Sequence, residues 1–198
     1  MAADLSQVAE QKKVADAFPD VDILVNNAGA IPGGSLEDID NARWREAWDL
    51  KVFGYINMTR TYFTRMKARK AGVIVNILGL AGEKLDFNYI AGSSGNASLI
   101  AFTRALGGNS PQYGVRVVGI NPGPVATDRI VALNKTRAKN LYGDESRYEE
   151  MFTKMPFGRP ATVDEIAAMA VFLASDLSSY TSGTVITIDG GIAHRTVA

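Results

Sequence analysis

The chain has 198 residues, 46% hydrophobic and 21% charged, the balance of a single soluble domain large enough for a substantial core. Its 21 basic and 21 acidic side chains cancel and no cysteine is present, which argues against nucleic-acid or membrane-surface binding and excludes disulfides, thiol catalysis and thiolate metal sites. No apolar run reaches membrane-spanning length and the opening M-A-A-D-L-S-Q shows no leader pattern, so a cytoplasmic protein with no membrane or nucleic-acid partner is the expectation.

Leu5, Val8, Ala9, Ala15 and Phe18 fall at helical spacing, with Asp4 or Ser6 placed to cap and Pro19 to stop. Ile23, Leu24 and Val25 then form a short, wholly apolar run, the pattern of a strand buried on both faces of a parallel sheet. It ends in Asn26-Asn27-Ala28-Gly29, at a carboxyl end, where open α/β sheets bind ligands and small residues let another molecule approach the backbone. Ser35 to Asp40 reads as a short helical turn, and a long amphipathic helix is predicted from Ala42 to Lys67. Its apolar stripe of Trp44, Trp48, Tyr55, Tyr62 and Met66 also carries Lys51, an unusual place for a charge. Gly72 to Ile77 is a second buried strand, Leu78 to Phe87 a loop, and Ser93 to Leu106 a helix of small residues. A third strand, Arg116 to Asn121, turns at Pro122-Gly123-Pro124. From Arg129 to Phe157 one or two short helices are predicted to form a flap, whose Lys135, Arg137 and Lys139 either face water or meet an anionic substrate. An amphipathic helix from Val163 to Ser175 and a strand from Thr184 to Ile188 complete the alternation of a parallel α/β sheet.

Four stretches in this order resemble motifs of the short-chain dehydrogenase/reductase family, over nearly the whole chain. They are D-I-L-V-N-N-A-G from Asp22, N-P-G-P-V-A-T from Asn121, G-R-P-A-T-V-D-E-I-A from Gly158 and S-G-T-V-I-T-I-D-G-G from Ser182. The resemblance implies one Rossmann-type domain, a three-layer α/β fold with a parallel sheet, and NAD(P)-dependent oxidoreductase activity. It also implies cofactor contacts from Asp4 and Leu5 on the adenine side, from Asn27, Ala28 and Gly29, and from Pro122, Gly123, Val125 and Thr127 on the nicotinamide side. Helix capping explains Asp4 equally well, and turn geometry the glycine and proline.

Two departures from the family pattern shape the functional expectation. The family opens with a βαβ half whose glycine-rich turn holds the cofactor pyrophosphate at a helix amino terminus, and nothing like it precedes Asp22. The expectation is an amino-terminally truncated member lacking its first three strands, with NAD or NADP binding weak or lost. Its exposed strand edge would favour a homo-oligomer or aggregation. The second departure lies in the family's Asn-Ser-Tyr-Lys tetrad: registering the motifs places Lys51, Gly79, Gly92 and Asn96 in those four slots. Lys51 and Asn96 thus hold exchanged positions, and Tyr89 lies three residues before the tyrosine slot. The candidate catalytic residues are Lys51, Tyr89 and Asn96, in a rebuilt site where Gly79 and Gly92 leave room for the lysine. That reading requires the Lys51 amine to lie in a cleft bounded by Gly79, Tyr89 and Asn96. The opposing one lays the lysine stem on apolar surface with its head in water, and Tyr89 over the core. Three functions stay open: an oxidoreductase of unidentified small-molecule substrate, a non-catalytic scaffold or binding protein, and non-redox chemistry such as elimination or isomerisation at Lys51.

Overall fold

Four strands lie side by side in chain order, all parallel: β1 (Ile23–Asn26), β2 (Gly72–Ile77), β3 (Val115–Pro122) and β4 (Val185–Ile188). The computed structural model describes residues 1–196, without the side chains of Arg129, Ala132, Thr136, Arg137 and Asn140, so the expectation for Arg137 lies outside the described residues. On one face Leu24, Ile74, Val115 and Val117 pack with Ala15, Met58, Tyr62 and Met66 from helices α1 (Val8–Ala17) and α3 (Gly54–Arg69). On the other, Val75, Val118 and Ile120 meet Ile166 and Leu173 of a later helix, Val163–Ala174. The result is the expected three-layer α/β arrangement with a parallel Rossmann-like sheet.

The run Ile23 to Val25 is not buried on both faces, as its composition suggests. Leu24 and Asn26 are buried, whereas Ile23 and Val25 are each 46% exposed. The helix on that face packs on β2 and β3, and among the described residues β1 pairs with β2 alone, so there one face and one backbone edge of β1 stay open. Helix α1 departs too: its inward residues are Gln11 and Ala15, while Val8 and Phe18 are exposed. Asp4 does not cap it; its carboxylate accepts from Ser6 N and Oγ at 2.9 and 2.7 Å, one turn earlier.

The predicted long helix is interrupted. Helix α2 (Asn41–Trp48), capped by Asp40 on Arg43 N, runs into a π turn at Asp49–Phe53 before α3 begins. One added residue rotates the following side chains by about 100° relative to an unbroken helix, a device common at functional sites. Helix α4 (Ile90–Asn109) is longer at both ends than predicted. The flap holds α5 (Asp128–Tyr142), well beyond the short helix expected, followed by the single turn α6 (Glu150–Thr153).

The last helix, α7 (Val163–Ala174), starts with a capping box between Thr162 and Glu165. Arg159 forks onto the Glu165 carboxylate at 2.7 and 2.9 Å and holds it down at about 2. At its other end Arg116 of β3 donates to the carbonyls of Leu173, Ala174 and Ser175 at 2.7–3.2 Å, satisfying groups the helix itself leaves bare. The outward face of α7 is apolar at Val171 and Phe172, so the expected amphipathic pattern fails there.

Candidate functional site

The carboxyl ends of β1, β2 and β3 open into three neighbouring segments, Asn27 to Ala30, Leu78 to Gly79 and Pro122 to Thr127. A buried chain of amides fixes their roots. Asn26 donates to Asn76 Oδ1 at 2.8 Å and to Thr59 Oγ1 at 3.0 Å, and Asn76 donates to Thr103 Oγ1 at 3.0 Å. Two strands and two helices are tied together this way, so Asn26 serves the scaffold rather than a ligand.

Lys51 leaves the π turn and crosses Gly29: a Cβ on Gly29 would stand only 2.7 Å from Lys51 Cδ. The close approach that glycine permits is therefore used by the chain's own lysine. Its amine donates to Leu78 O at 2.9 Å and reaches Ile77 O at 3.5 Å, 5.6 Å from the centre of the Tyr55 ring. Tyr55 Oη donates to the same Ile77 carbonyl at 2.9 Å, and burial pushes its phenol up, so it stays protonated. The amine thus sits on two carbonyls at the end of β2, next in sequence to Gly79.

Asn96 is buried, with Nδ2 donating to Gly92 O at 2.8 Å. Its carboxamide lies against Gly79, where an added Cβ would stand 3.1 Å from Oδ1 and 3.2 Å from Nδ2. Asn121, at the end of β3, accepts from Gly79 N at 3.4 Å. Two buried atoms here lack a hydrogen-bond partner among the described residues, Asn96 Oδ1 and Asn121 Nδ2. Tyr89 fills the tyrosine slot from three residues upstream: a Cβ on Gly92 would fall 2.1 Å from its ring. An isolated bridge between Gly34 and Tyr89 fixes the backbone there.

The cofactor-side residues divide in the same way. Asn27, Ala28 and Gly29 are exposed at the end of β1. Thr127 is exposed at the start of α5, where its side chain does not cap the helix. Pro122 ends β3, and the loop after it is pinned to the start of α7 by Ala126 N to Ala161 O at 2.8 Å and Ala161 N to Pro124 O at 2.9 Å, with Val125 bridging Ala161. Gly123 is approached by Asp189, which a Cβ would meet at 2.9 Å. Asp4 lines a cavity of about 400 Å³ together with Ala30, Arg43 and Glu46, which brings the first residues beside the Asn-Asn-Ala-Gly turn. Leu5 is occupied by packing: its carbonyl accepts from Gln11 Nε2 at 2.7 Å and its side chain lies on the core. Exposed small-residue turns and a hydroxyl at strand ends fit the nicotinamide end of a dinucleotide. No glycine precedes Gly29, so the first 28 residues hold no glycine-rich pyrophosphate turn.

Sequence reasoning missed Asn121, the π turn and the packing of Tyr89 on Gly92. Only Asn121 carried a signal, a polar residue closing an apolar strand. Among the described residues no acidic, histidine or cysteine cluster could hold a metal, and no helix is long and apolar enough to cross a membrane.

With this geometry in hand, comparison with known proteins is specific. A family model described as enoyl-(acyl carrier protein) reductase matches residues 2–193. An uncharacterized oxidoreductase of Thermotoga maritima is 32% identical over 190 residues, covering 95% of this chain and 74% of the relative. A solved short chain dehydrogenase/reductase family protein is 34% identical, with TM-score 0.81 over 96% of this chain and 74% of its own. The L-sorbose reductase from Gluconobacter frateurii, solved with NADPH and L-sorbose, is 26% identical, with TM-score 0.86 over 98% of this chain and 76% of its own.

Proposed function

The chain belongs to the short-chain dehydrogenase/reductase family, and from that premise we propose that it is an NAD(P)-dependent oxidoreductase of a small hydroxyl or carbonyl compound, working through Lys51, Tyr89 and Asn96. The observation that carries the reading is the Lys51 ammonium held on Leu78 O at 2.9 Å with its stem across Gly29. When bound, the cofactor would in its reduced form give a hydride to a carbonyl carbon, and in its oxidised form accept one from a carbinol carbon. In reduction Lys51 Nζ gives a proton to the substrate oxygen, and in oxidation it takes that proton back. Tyr89 closes the side of the pocket left open by Gly92. Asn96 presents its carboxamide beside Gly79. Residues Asn27 to Gly29 and Pro122 to Thr127 hold the nicotinamide end, with Asp4 and Leu5 on the adenine side.

The NADPH and L-sorbose complex of the Gluconobacter relative makes ketoses and polyols the first substrates to try. Reduced nicotinamide is expected to accumulate when the chain is given polyols with millimolar NAD⁺ or NADP⁺. Cofactor binding without turnover of any alcohol would replace this reading with a binding scaffold. Loss of water from a polyol without cofactor would replace it with non-redox chemistry.

The same reading places the protein in the cytoplasm as a homo-oligomer. The open edge of β1, with Ile23 and Val25 exposed beside it, supports self-association. Light scattering is expected to show dimers or larger species. A monodisperse monomer at high concentration would overturn this.

A further inference from the structure

We propose that Tyr55 and Pro122 are positioning residues for Lys51: together they make Leu78 O, rather than Ile77 O, the seat of its amine. In a parallel ladder the N–H and C=O of one residue turn to the same neighbouring strand, and successive residues turn to opposite strands. Val73 N donates to Asp22 O ahead of β1, so by alternation Ile77 faces β1 and Leu78 faces β3, where its N–H meets Ile120 O at 2.8 Å. The pairing of β1 with β2 stops at Asn26 and Asn76, so Ile77 O lies past its end. On the other side Ile77 is set beside Ile120, which makes residue 122 the one whose N–H would meet Leu78 O. That residue is proline and has no N–H to give. Two consecutive carbonyls therefore lack ladder donors, for different reasons.

Two side chains from the π turn and the start of α3 divide these carbonyls between them. Tyr55 is 2% exposed, and burial keeps its phenol protonated, so Oη donates to Ile77 O at 2.9 Å. Lys51 Nζ stands 2.9 Å from Leu78 O and 3.5 Å from Ile77 O, the second longer than an ordinary N–H···O bond. With Ile77 O engaged by the hydroxyl, the ammonium takes the carbonyl one residue nearer the open end of the sheet. Removing the hydroxyl offers the amine a second acceptor and draws it back along β2. Restoring an N–H at position 122 supplies a backbone rival for Leu78 O. Each change shifts the amine without touching the lysine itself.

Only the claim that this placement serves turnover rests on the oxidoreductase reading. The placement itself is read without cofactor, from couplings across the hydrogen bond between the Lys51 amine nitrogen and backbone carbonyl carbons in the isotopically labelled full chain. The wild-type chain is expected to show coupling to Leu78 and none to Ile77. In Tyr55→Phe coupling to Ile77 should appear, and in Pro122→Ala coupling to Leu78 should be lost. Both variants are expected to keep a cooperative thermal transition, which separates a moved amine from misfolding. With polyol and cofactor, Tyr55→Phe is expected to lower kcat by about 10–100-fold with KM little changed, the signature of a misplaced group rather than of lost packing. Coupling confined to Leu78 in Tyr55→Phe, undiminished coupling to Leu78 in Pro122→Ala, or no such coupling in the wild type would each overturn the positioning role, as would an unchanged kcat in Tyr55→Phe. Couplings as expected in a wild-type chain that turns over no alcohol would instead overturn the oxidoreductase reading and leave the placement standing.

Discussion

The 198-residue chain is expected to bind NADH and NADPH with dissociation constants in the millimolar range or weaker. The pyrophosphate is the most highly charged part of either cofactor, and it is ordinarily met by backbone N–H groups at a helix amino terminus behind a glycine-rich turn. Here no glycine precedes Gly29, and α1, the one helix ahead of β1, starts on Gln7 without a side-chain cap. Hydrogen bonds to a charged group contribute about 1.5–3 kcal/mol each. Three of them missing weakens binding by roughly a thousandfold or more, at about 1.4 kcal/mol per decade. What remains are the exposed turns Asn27 to Gly29 and the loop up to Thr127, which offer small residues and one hydroxyl. Titration calorimetry is the check. Micromolar affinity for the chain alone would mean that other groups carry the phosphates, with Arg43, beside Asp4 in its cavity, the first to examine.

The strands that could be read from sequence are those covered on both faces. Residues of β2 and β3 contribute to the clusters on both sides of the sheet, so their unbroken apolar runs match their burial. The Ile23 to Val25 run looks the same in sequence yet is covered on one face, because what covers a strand is decided by elements distant in the chain. The π turn left no mark either: the stripe from Trp48 to Tyr55 keeps its apolar residues through it. Lys51 was visible as a charge on that stripe, and its destination became visible only with Leu78 and Gly29 in place. Tyr89 stood out as a tyrosine near an empty slot. That its ring fills that slot depends on the missing side chain of Gly92, a contact no periodicity encodes. Asn121 passed as part of a turn motif, while its unpartnered amide is a property of the folded interior.

Replacing Lys51 by methionine is expected to lower turnover by about 10²–10⁴-fold, the usual span for removing a proton-transfer group, while the fold survives. Methionine keeps an unbranched stem to lie across Gly29 and removes only the ammonium that sits on the carbonyls of Leu78 and Ile77. Tyr55 still donates to Ile77 O, so that carbonyl is not left bare. The melting temperature should therefore change little. Lys51→Arg separates charge from proton transfer: guanidinium stays charged and cannot release a proton at working pH. It is expected to leave KM for cofactor near the wild-type value and to lower kcat as severely as methionine does. If Lys51→Met retains wild-type kcat, the amine on Leu78 O is a structural strut between the ends of β1 and β2, and the proton-transfer role must be given to another group.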